Sequence, residues 1–288
     1  MRQQHRDWLV FSDLHILFVA AAWMQGNSAL FAYTLPASFL MVASVGAFLV
    51  YRVDRLLLES PEDALNTPER LAFSRRYRLV LLASAAGLMV MAVGLALTMR
   101  VLWLEMVLVV GIAGLVYPLR ILPGGRRPKD IAWLKTALVA CGWVGGGVLL
   151  PLVLFSGGES LAVGVAVVAY RVLWIMPNLL ASDWMDRAGD QAAGSGNLVA
   201  SWSVRKAQRV LWLGLSAAGL LASFLAFSGL PPGWLAMDFA GMAILSWAAW
   251  RVIRRHESDV VSAEKPHAAH IVVLDVLVAW PLLTWILM

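Results

Sequence analysis

Apolar residues are gathered along this chain into long blocks that polar segments separate. Nine such blocks lie at about residues 9–31, 36–53, 77–98, 101–118, 132–154, 161–182, 206–228, 234–252 and 268–287. A block of about 17–25 apolar residues is long enough to cross roughly 30 Å of hydrocarbon as a helix. The pattern therefore predicts an all-α, polytopic membrane protein, with residues 1–288 forming a single domain of nine transmembrane helices.

The polar segments are of two kinds, and these alternate along the chain. The N-terminus and the segments near 54–76, 119–131, 183–205 and 253–267 are long and basic, whereas those near 32–35, 99–100, 155–160 and 229–233 are short and nearly uncharged. Of the 23 Lys and Arg residues, Arg100 lies in the second set and Arg171 lies deep inside a block, whereas the other 21 lie in the first set or at the block ends next to it. Because basic loops stay on the cytoplasmic side, we expect a cytoplasmic N-terminus and a C-terminus on the opposite side. This is the topology of a multi-pass protein of a bacterial cytoplasmic membrane, with its chemistry on the cytoplasmic face.

The composition agrees with this reading. The chain is 60% hydrophobic and 14% charged, with a mean hydropathy of +0.75, whereas soluble domains carry about 25% charged residues. The net charge of +5 comes from residues that lie between apolar blocks, so it reflects membrane topology and predicts no nucleic-acid partner. The single cysteine, Cys141, excludes a disulfide framework and a zinc motif.

Three aspartates follow the sixth apolar block, in the stretch MPNLLASDWMDRAGDQAAG. On a helix, Asp183, Asp186 and Asp190 fall within about 60° of one another, and like charges on one stripe need a cation or a basic partner. One interpretation is a solvated helix end on which Arg187 pairs with Asp183. The other is a Mg²⁺ site that holds a phosphate, because Mg²⁺ binds through one or two carboxylates plus phosphate oxygens. Basic residues for such a site are available in the loops: Arg120, Arg126, Arg127, Lys129, Lys135, Arg205 and Lys206.

A second acidic segment, YRVDRLLLESPEDALNTPER, follows the second apolar block. Asp54 leaves that block about where Asp183 leaves the sixth, and further acids follow at Glu59, Glu62, Asp63 and Glu69. Alone, the segment reads as an ordinary charged loop. Together with the aspartate stripe, it can supply the other half of a metal site.

These motifs resemble those of the UbiA superfamily of intramembrane prenyltransferases, and the resemblance covers essentially the whole chain. The later motif, D183-W-M-D186-R-A-G-D190, matches the D-x-x-D-x-x-x-D of that family in full. The loop Y117-P-L-R120-I-L-P-G-G-R126-R127-P-K129 resembles its Tyr-to-Lys segment. The early motif departs from the family's N-D-x-x-D-x-x-x-D, which would place Asn at Val50 and Asp at Tyr51 and Leu58, so that only Asp54 remains.

The resemblance implies nine helices around a central cleft that opens to the cytoplasmic side. It also implies a Mg²⁺-dependent transfer of an isoprenyl group from a prenyl diphosphate to an aromatic or lipid acceptor among the membrane lipids. Asp183, Asp186 and Asp190, with Asp54 opposite, are then expected to hold Mg²⁺. Arg120, Arg126, Lys129 and Lys135 are expected to bind the diphosphate. Tyr117 is expected to orient a phosphate oxygen or to face the allylic cation, and catalysis is assigned to Asp183, Asp186 and Tyr117.

Polar residues inside the blocks leave further choices open. Arg171 lies about ten residues into the sixth block, where a charge is a functional hypothesis by default. It either pairs with Glu105 or Asp275 or lines a cavity for a polar acceptor. Asn178 either lines the same cavity or forms a hydrogen bond between helices. His15 reads as a helix-end or packing residue.

Three other functions compete with the enzyme. The incomplete early motif favours a non-catalytic UbiA-like protein that binds isoprenoid or polar ligands without transfer. A transporter would be built around Arg171, Glu105 and Asp275. A CDP-alcohol phosphotransferase would need D-x-x-D-G-x-x-A-R, but Arg187 stands at the glycine position and nine spans are too many for that family.

Overall fold

The computed structural model describes residues 7–8, 10–56, 61–155, 160–258 and 269–287. Within these residues the regular elements are helices, and the extended pairing there is the isolated bridge between Leu122 and Arg126. The main helices are α1 (Leu14–Leu30), α2 (Ala37–Leu56), α3 (Pro61–Asn66), α4 (Pro68–Arg76), α5 (Arg78–Ala96), α6 (Val101–Val116), α7 (Ala132–Val144), α8 (Leu150–Phe155), α9 (Leu161–Ala192), α10 (Val204–Phe227), α11 (Pro232–Ser258), α12 (Ala269–Val278) and α13 (Trp280–Leu287). The prediction of an all-α chain is confirmed for the described residues.

Six helices in the described part of the chain are long and apolar enough to cross a membrane. They are residues 37–56, 78–96, 132–155, 161–192, 204–227 and 232–255. The other three predicted spans correspond to shorter helices, namely α1 with 17 residues, α6 with 16, and the pair α12 and α13 with 10 and 8. The chain is therefore a multi-pass membrane protein, whereas the count of nine spans and the direction in which a cleft opens stay predictions.

The longest helix, α9, lies at the centre of the packing. It has 32 residues and contacts α3, α7, α10, α11 and α12. Trp174 on α9 is fully buried with its ring centroid 5.4 Å from that of Trp23 on α1. Large apolar side chains on outer helices are exposed, as at Leu79, Leu97 and Phe227. Surface of that kind suits a protein whose surroundings are lipid.

A wide helical turn at Gly145–Leu149 joins α7 to α8, so that residues 132–155 form one interrupted helix. Three consecutive glycines begin this turn. A Cβ on Gly147 would lie 2.3 Å from Cδ1 of Trp23, so the missing side chain is what lets α1 approach this turn. The indole of Trp23 donates a hydrogen bond to the Trp143 carbonyl at 3.1 Å.

One end of the bundle collects the predicted chemistry. The helix α9 continues from its apolar part straight into the aspartate stripe and ends at Ala192. The end of α2, the short helix α3, residues 117–131 and the start of α7 contribute the other polar side chains there. We call this end, defined by Asp54, Glu62, Lys129, Lys135 and residues 183–190, the charged end.

Candidate active site

The loop between α6 and α7 is shaped by proline and glycine. Pro123 begins a 3₁₀ turn, and Gly124 and Gly125 have φ values of 76° and 71°, which L-residues rarely adopt. Pro128 begins a second 3₁₀ turn that contains Lys129. The loop thereby directs the side chains of Arg127 and Lys129, which are both buried, toward α3 and the end of α2.

Two aspartates of the stripe share one lysine. Lys135 Nζ lies 3.1 Å from Asp183 Oδ1 and donates a 2.8 Å hydrogen bond to Asp190 Oδ2. Thr136 donates to Asp183 Oδ2 at 3.0 Å, and Asn197 Nδ2 donates to Asp190 Oδ2 at 2.9 Å. The residue exposures of Asp183 and Asp190 are 6% and 2%. The stripe is therefore a buried polar cluster, and the interpretation of a solvated helix end is wrong.

Asp186 differs from its two neighbours. Within the described residues it forms no hydrogen bond and no ion pair, although Lys135 and Arg70 are near enough for their charges to act on it. Arg187 lies over the ring of Trp184 at 4.3 Å, and it does not form the alternative pair with Asp183. Asp186 is thus the carboxylate of the stripe that has no partner within the described residues.

In the acidic segment that begins at Asp54, two carboxylates pair with another lysine, Lys129. Lys129 Nζ donates to Asp54 Oδ1 at 2.6 Å and lies 3.2 Å from Glu62 Oε1. Arg127 Nη2 donates to Glu62 at 3.2 Å and to Asp130 at 2.6 Å. Burial acts to raise the pKa of Glu62, but Lys129 and Arg127 outweigh it, and the pKa lies below its ordinary value. Among the acids that follow Asp54 in this segment, Glu62 therefore joins the site.

The other acids of this segment do not join it. Asp63 pairs with Arg70 at 2.9 Å, and Glu69 is exposed at the start of α4. Glu59 lies outside the described residues.

The two acidic segments meet where α3 packs on the end of α9. Asn66 Nδ2 donates to Asp190 Oδ1 at 3.1 Å, and a Cβ on Gly189 would lie 2.0 Å from Asn66 Oδ1. Arg127 also donates to Ser195 at 3.2 Å, beyond the C-terminus of α9. Both acidic segments therefore contribute side chains to the polar contacts of the charged end.

The remaining predicted loop residues lie at different depths. Tyr117 is partly buried and lies near Lys135. Arg120 and Arg126 are exposed, and the structure does not bring them into contact with the carboxylates. Thr136, Asn66 and Asn197 belong to the network but were not predicted. A threonine next to Lys135 and asparagines in the loops carry no distinctive spacing.

Arg171 lies away from the charged end. It is 12 residues before Asp183 on α9, about 18 Å along the helix axis. It is fully buried, and its Nη1 donates to Asp238 Oδ2 at 2.7 Å. The prediction that Arg171 pairs with Glu105 or Asp275 is therefore wrong, because its partner is Asp238 on α11. The sequence does contain a sign of this pair, since Asp238 is an acidic residue inside the apolar block 234–252.

Asn178 forms a hydrogen bond between helices, which was one of its two predicted roles. Its Nδ2 donates to Asp275 Oδ1 on α12 at 3.0 Å. Asp275 in turn binds His15 on α1 at 3.3 Å. These contacts explain why Asp275 is not available to Arg171.

The carboxylates suit a Mg²⁺ ion that is bound together with a diphosphate, rather than by protein side chains alone. Within the described residues, no group of three or more His, Cys, Asp or Glu side chains is placed to hold a metal ion by itself. Mg²⁺ rarely uses such a cage and is usually bound by one or two carboxylates, with phosphate oxygens and water completing the octahedron. Asp186, which has no partner in the described residues, and one neighbouring carboxylate meet that requirement once a diphosphate is present.

The comparisons with known proteins concern the whole chain. A model of the UbiA prenyltransferase family matches residues 10–267. No curated protein sequence matches the chain.

Two solved structures are similar in fold. One comes from a study of the biosynthesis of digeranylgeranylglyceryl phosphate synthase in membranes; it is 15% identical with a TM-score of 0.53, over 100% of this chain and 98% of that chain. The other is the apo structure of a UbiA homolog from Aeropyrum pernix K1, 15% identical with a TM-score of 0.54, over 93% of this chain and 96% of that chain. At this level of identity the likeness concerns the fold.

Proposed function

The chain belongs to the UbiA prenyltransferase family, and we propose that it is a Mg²⁺-dependent prenyltransferase of one domain, residues 1–288. It would move an isoprenyl group from a prenyl diphosphate to an aromatic or lipid acceptor in the membrane. The observation that carries the proposal is the meeting of two acidic segments at one end of the bundle, each bound to its own lysine. A CDP-alcohol phosphotransferase is disfavoured because Arg187 stands where its motif has glycine. A transporter is disfavoured because Arg171 pairs with Asp238 and not with Glu105 or Asp275.

The lysines are the groups that would bind the diphosphate. In the structure their ammonium groups are held by carboxylates, Lys129 by Asp54 and Glu62, and Lys135 by Asp183 and Asp190. A diphosphate carries several negative charges, so it can take over these ammonium groups, and the carboxylates then need another cation. When bound there, Mg²⁺ would supply that charge and stabilise the departing diphosphate.

Other residues of the charged end support the same step. Arg127 fixes the loop through Glu62 and Asp130, which keeps Lys129 directed inward. Tyr117, beside Lys135, is placed to orient a phosphate oxygen or to face positive charge on the prenyl group. Exposed Arg120 and Arg126 would meet an arriving diphosphate by long-range attraction. We place this end, and the N-terminus, on the cytoplasmic side because the basic loops lie there.

The test is a transfer assay with purified protein in lipid nanodiscs. Radiolabelled prenyl diphosphates of 10, 15 and 20 carbons would be supplied with a membrane lipid extract, and released diphosphate and prenylated product would be counted. We expect turnover with Mg²⁺, none in EDTA, and a loss of roughly 100-fold or more in Asp186→Asn. The matched control is Glu69→Gln, which removes an exposed carboxylate near the site and should leave the rate unchanged. Equal turnover in EDTA would contradict the proposal.

One observation favours a second function, that of a non-catalytic UbiA-like protein that binds isoprenoid or polar ligands. Three of the four expected metal-binding aspartates are already neutralised by lysine, and the early motif keeps Asp54 alone. Such a protein would bind a prenyl diphosphate and release no diphosphate with any acceptor. The same assay, with donor binding measured alongside release, separates the two functions.

A further inference from the structure

Three polar side chains from three helices meet inside the bundle, apart from the charged end. His15 of α1 lies 3.3 Å from Asp275 Oδ2 of α12, and Asn178 of α9 donates to Asp275 Oδ1 at 3.0 Å. Both oxygens of the Asp275 carboxylate are thus held in place. We call these three residues the inner polar cluster.

The cluster has hydrogen-bonding capacity that the chain does not use. Nδ1 of His15 and Oδ1 of Asn178 are buried and have no hydrogen-bond partner within the described residues, although Asn178 is only 7% exposed. Buried polar atoms are normally paired, because an unpaired one costs stability. These two atoms indicate that a polar group of a ligand, or water in its place, belongs beside them.

The cluster remains accessible at its centre. The Asp275 side chain is 18% exposed and that of His15 is 13% exposed, whereas the ion pair of Arg171 and Asp238 is completely enclosed. The Asp275 carboxylate is therefore held by two neighbours and is still partly exposed, so it can accept a hydrogen bond from a ligand.

The position of the cluster relates it to the charged end. Asn178 precedes Asp183 by five residues on α9, about 7.5 Å deeper along the helix. Asp275 lies near Tyr51 and Arg55 of α2. These residues stand three positions before and one position after Asp54. The inner polar cluster therefore lies beside both acidic segments, on the side toward the apolar interior. A prenyl chain that runs from a diphosphate at the charged end into the apolar interior along α9 would pass this cluster.

We propose that Asp275, positioned by His15 and Asn178, binds the hydroxyl group of the prenyl acceptor and takes up its proton during transfer. This proposal rests on the proposed function. The bond between the prenyl carbon and the diphosphate oxygen breaks with its electron pair leaving on the diphosphate. The acceptor oxygen forms the new bond to the prenyl carbon, and its proton passes to the carboxylate of Asp275, which the contacts with His15 and Asn178 hold in place. The product is an ether, and the acceptor class is a membrane compound with a free hydroxyl group.

This assignment concerns a residue beyond the matched family region, which ends at residue 267. It also gives a function to Asp275 and His15, which the sequence treats as a pairing partner and a packing residue. Catalysis by a positioned acid or base typically contributes 10²- to 10⁴-fold to a rate. Replacing Asp275 is therefore expected to lower the transfer rate by a factor within that range.

The experiment compares Asp275→Asn with the wild-type protein in nanodiscs. Donor binding is measured with radiolabelled geranylgeranyl diphosphate, and ether formation is measured by mass spectrometry with a total membrane lipid extract as acceptor. We expect unchanged donor binding and at least about a 100-fold loss of ether formation, with a smaller loss in His15→Gln. The control is Glu105→Gln, which changes an exposed carboxylate on α6 and should behave as wild type. Acetylating the hydroxyl groups of the extract should abolish ether formation by the wild type.

Each outcome decides the matter. Ether formation by Asp275→Asn within about threefold of wild type, or full activity of wild type with the acetylated extract, overturns the role of Asp275. Loss of donor binding in Asp275→Asn together with a lower unfolding temperature shows a purely structural cluster and also overturns it. A wild-type protein that neither binds the donor nor releases diphosphate refutes the proposed function itself, which separates that failure from the other two.

Discussion

The enclosed pair of Arg171 and Asp238 permits a quantitative test of whether an intramembrane charge serves stability. Arg171 donates to Asp238 at 2.7 Å, and Tyr170 donates its hydroxyl to the same oxygen at 2.7 Å. Four aromatic rings lie within 6 Å of the guanidinium carbon, those of Trp23, Tyr170, Trp174 and Trp234. Both charged side chains have 0% exposure, so neither charge is solvated if the other is removed.

The perturbation is Arg171→Met, which keeps the volume of the side chain and removes its charge. Breaking a buried ion pair from one side costs about 3–5 kcal/mol. The cost has an upper limit, because Asp238 can take up a proton. For an ordinary aspartate pKa of about 3.9, that limit is about 4 kcal/mol at pH 7 and about 1.5 kcal/mol at pH 5. We therefore expect the loss in free energy of unfolding to shrink by about 2–3 kcal/mol between these two pH values.

The double variant Arg171→Met with Asp238→Asn provides the matched control. Asn at this position still accepts the hydrogen bond of Tyr170 and carries no charge. Replacing a buried pair by neutral side chains is often neutral or stabilising, so the double variant should be more stable than the single one and should show little pH dependence.

The assay is reversible unfolding in mixed detergent and dodecyl sulfate micelles, followed by far-ultraviolet circular dichroism. The reasoning is refuted if Arg171→Met loses the same free energy at pH 5 and pH 7. It is also refuted if the double variant is as unstable as the single one. A fully stable Arg171→Met with impaired transfer would instead support the acceptor cavity that the sequence left open for Arg171.

Two further predictions concern the charged end and the wide turn. Ionised Glu62 stabilises the fold because its pKa lies below the ordinary value of 4.5. This contribution is complete above that value and is lost as the pH falls through the lower folded pKa, so wild type should lose more thermal stability than Glu62→Gln between pH 6 and pH 3. Equal losses would contradict the pairing with Lys129 and Arg127. Gly147→Ala should cost about 1–3 kcal/mol, because its Cβ would lie 2.3 Å from Trp23, whereas Gly142→Ala, with open space around it, should be neutral or slightly stabilising in chemical unfolding. Comparable costs at both glycines would show that the contact with Trp23 is not limiting.

The sequence predicted the parts of the structure that depend on simple periodicities. Blocks of apolar residues gave the helices, and the spacing of Asp183, Asp186 and Asp190 gave one face of α9. The structure agrees that Asp183 and Asp190 face the same group, because both contact Lys135. Lys129, which the sequence assigned to the diphosphate, contacts Asp54, and its role in binding stays a prediction.

What the sequence did not predict depends on which helices become neighbours. Glu105, Asp238 and Asp275 are all acids within apolar blocks, and nothing local distinguishes the one that pairs with Arg171. Only the packing of α11 against α9 makes Asp238 the partner. The tertiary structure also explains why Asp186 has no partner within the described residues. The basic side chains near it, Arg70 and Lys135, already pair with other carboxylates.

The length of α9 has a consequence for how a reaction at this protein would end. Its 32 residues span about 48 Å at 1.5 Å each, well beyond a hydrocarbon layer of about 30 Å. If its first residue lies at one boundary of that layer, the second boundary falls near residue 181, just before the stripe. A bound prenyl diphosphate would then straddle a phase boundary. After cleavage its two halves partition in opposite directions, diphosphate into water and the prenylated product into lipid. Neither product would have to cross the path of the other, and the recombination that would reverse the reaction would be disfavoured by their separation.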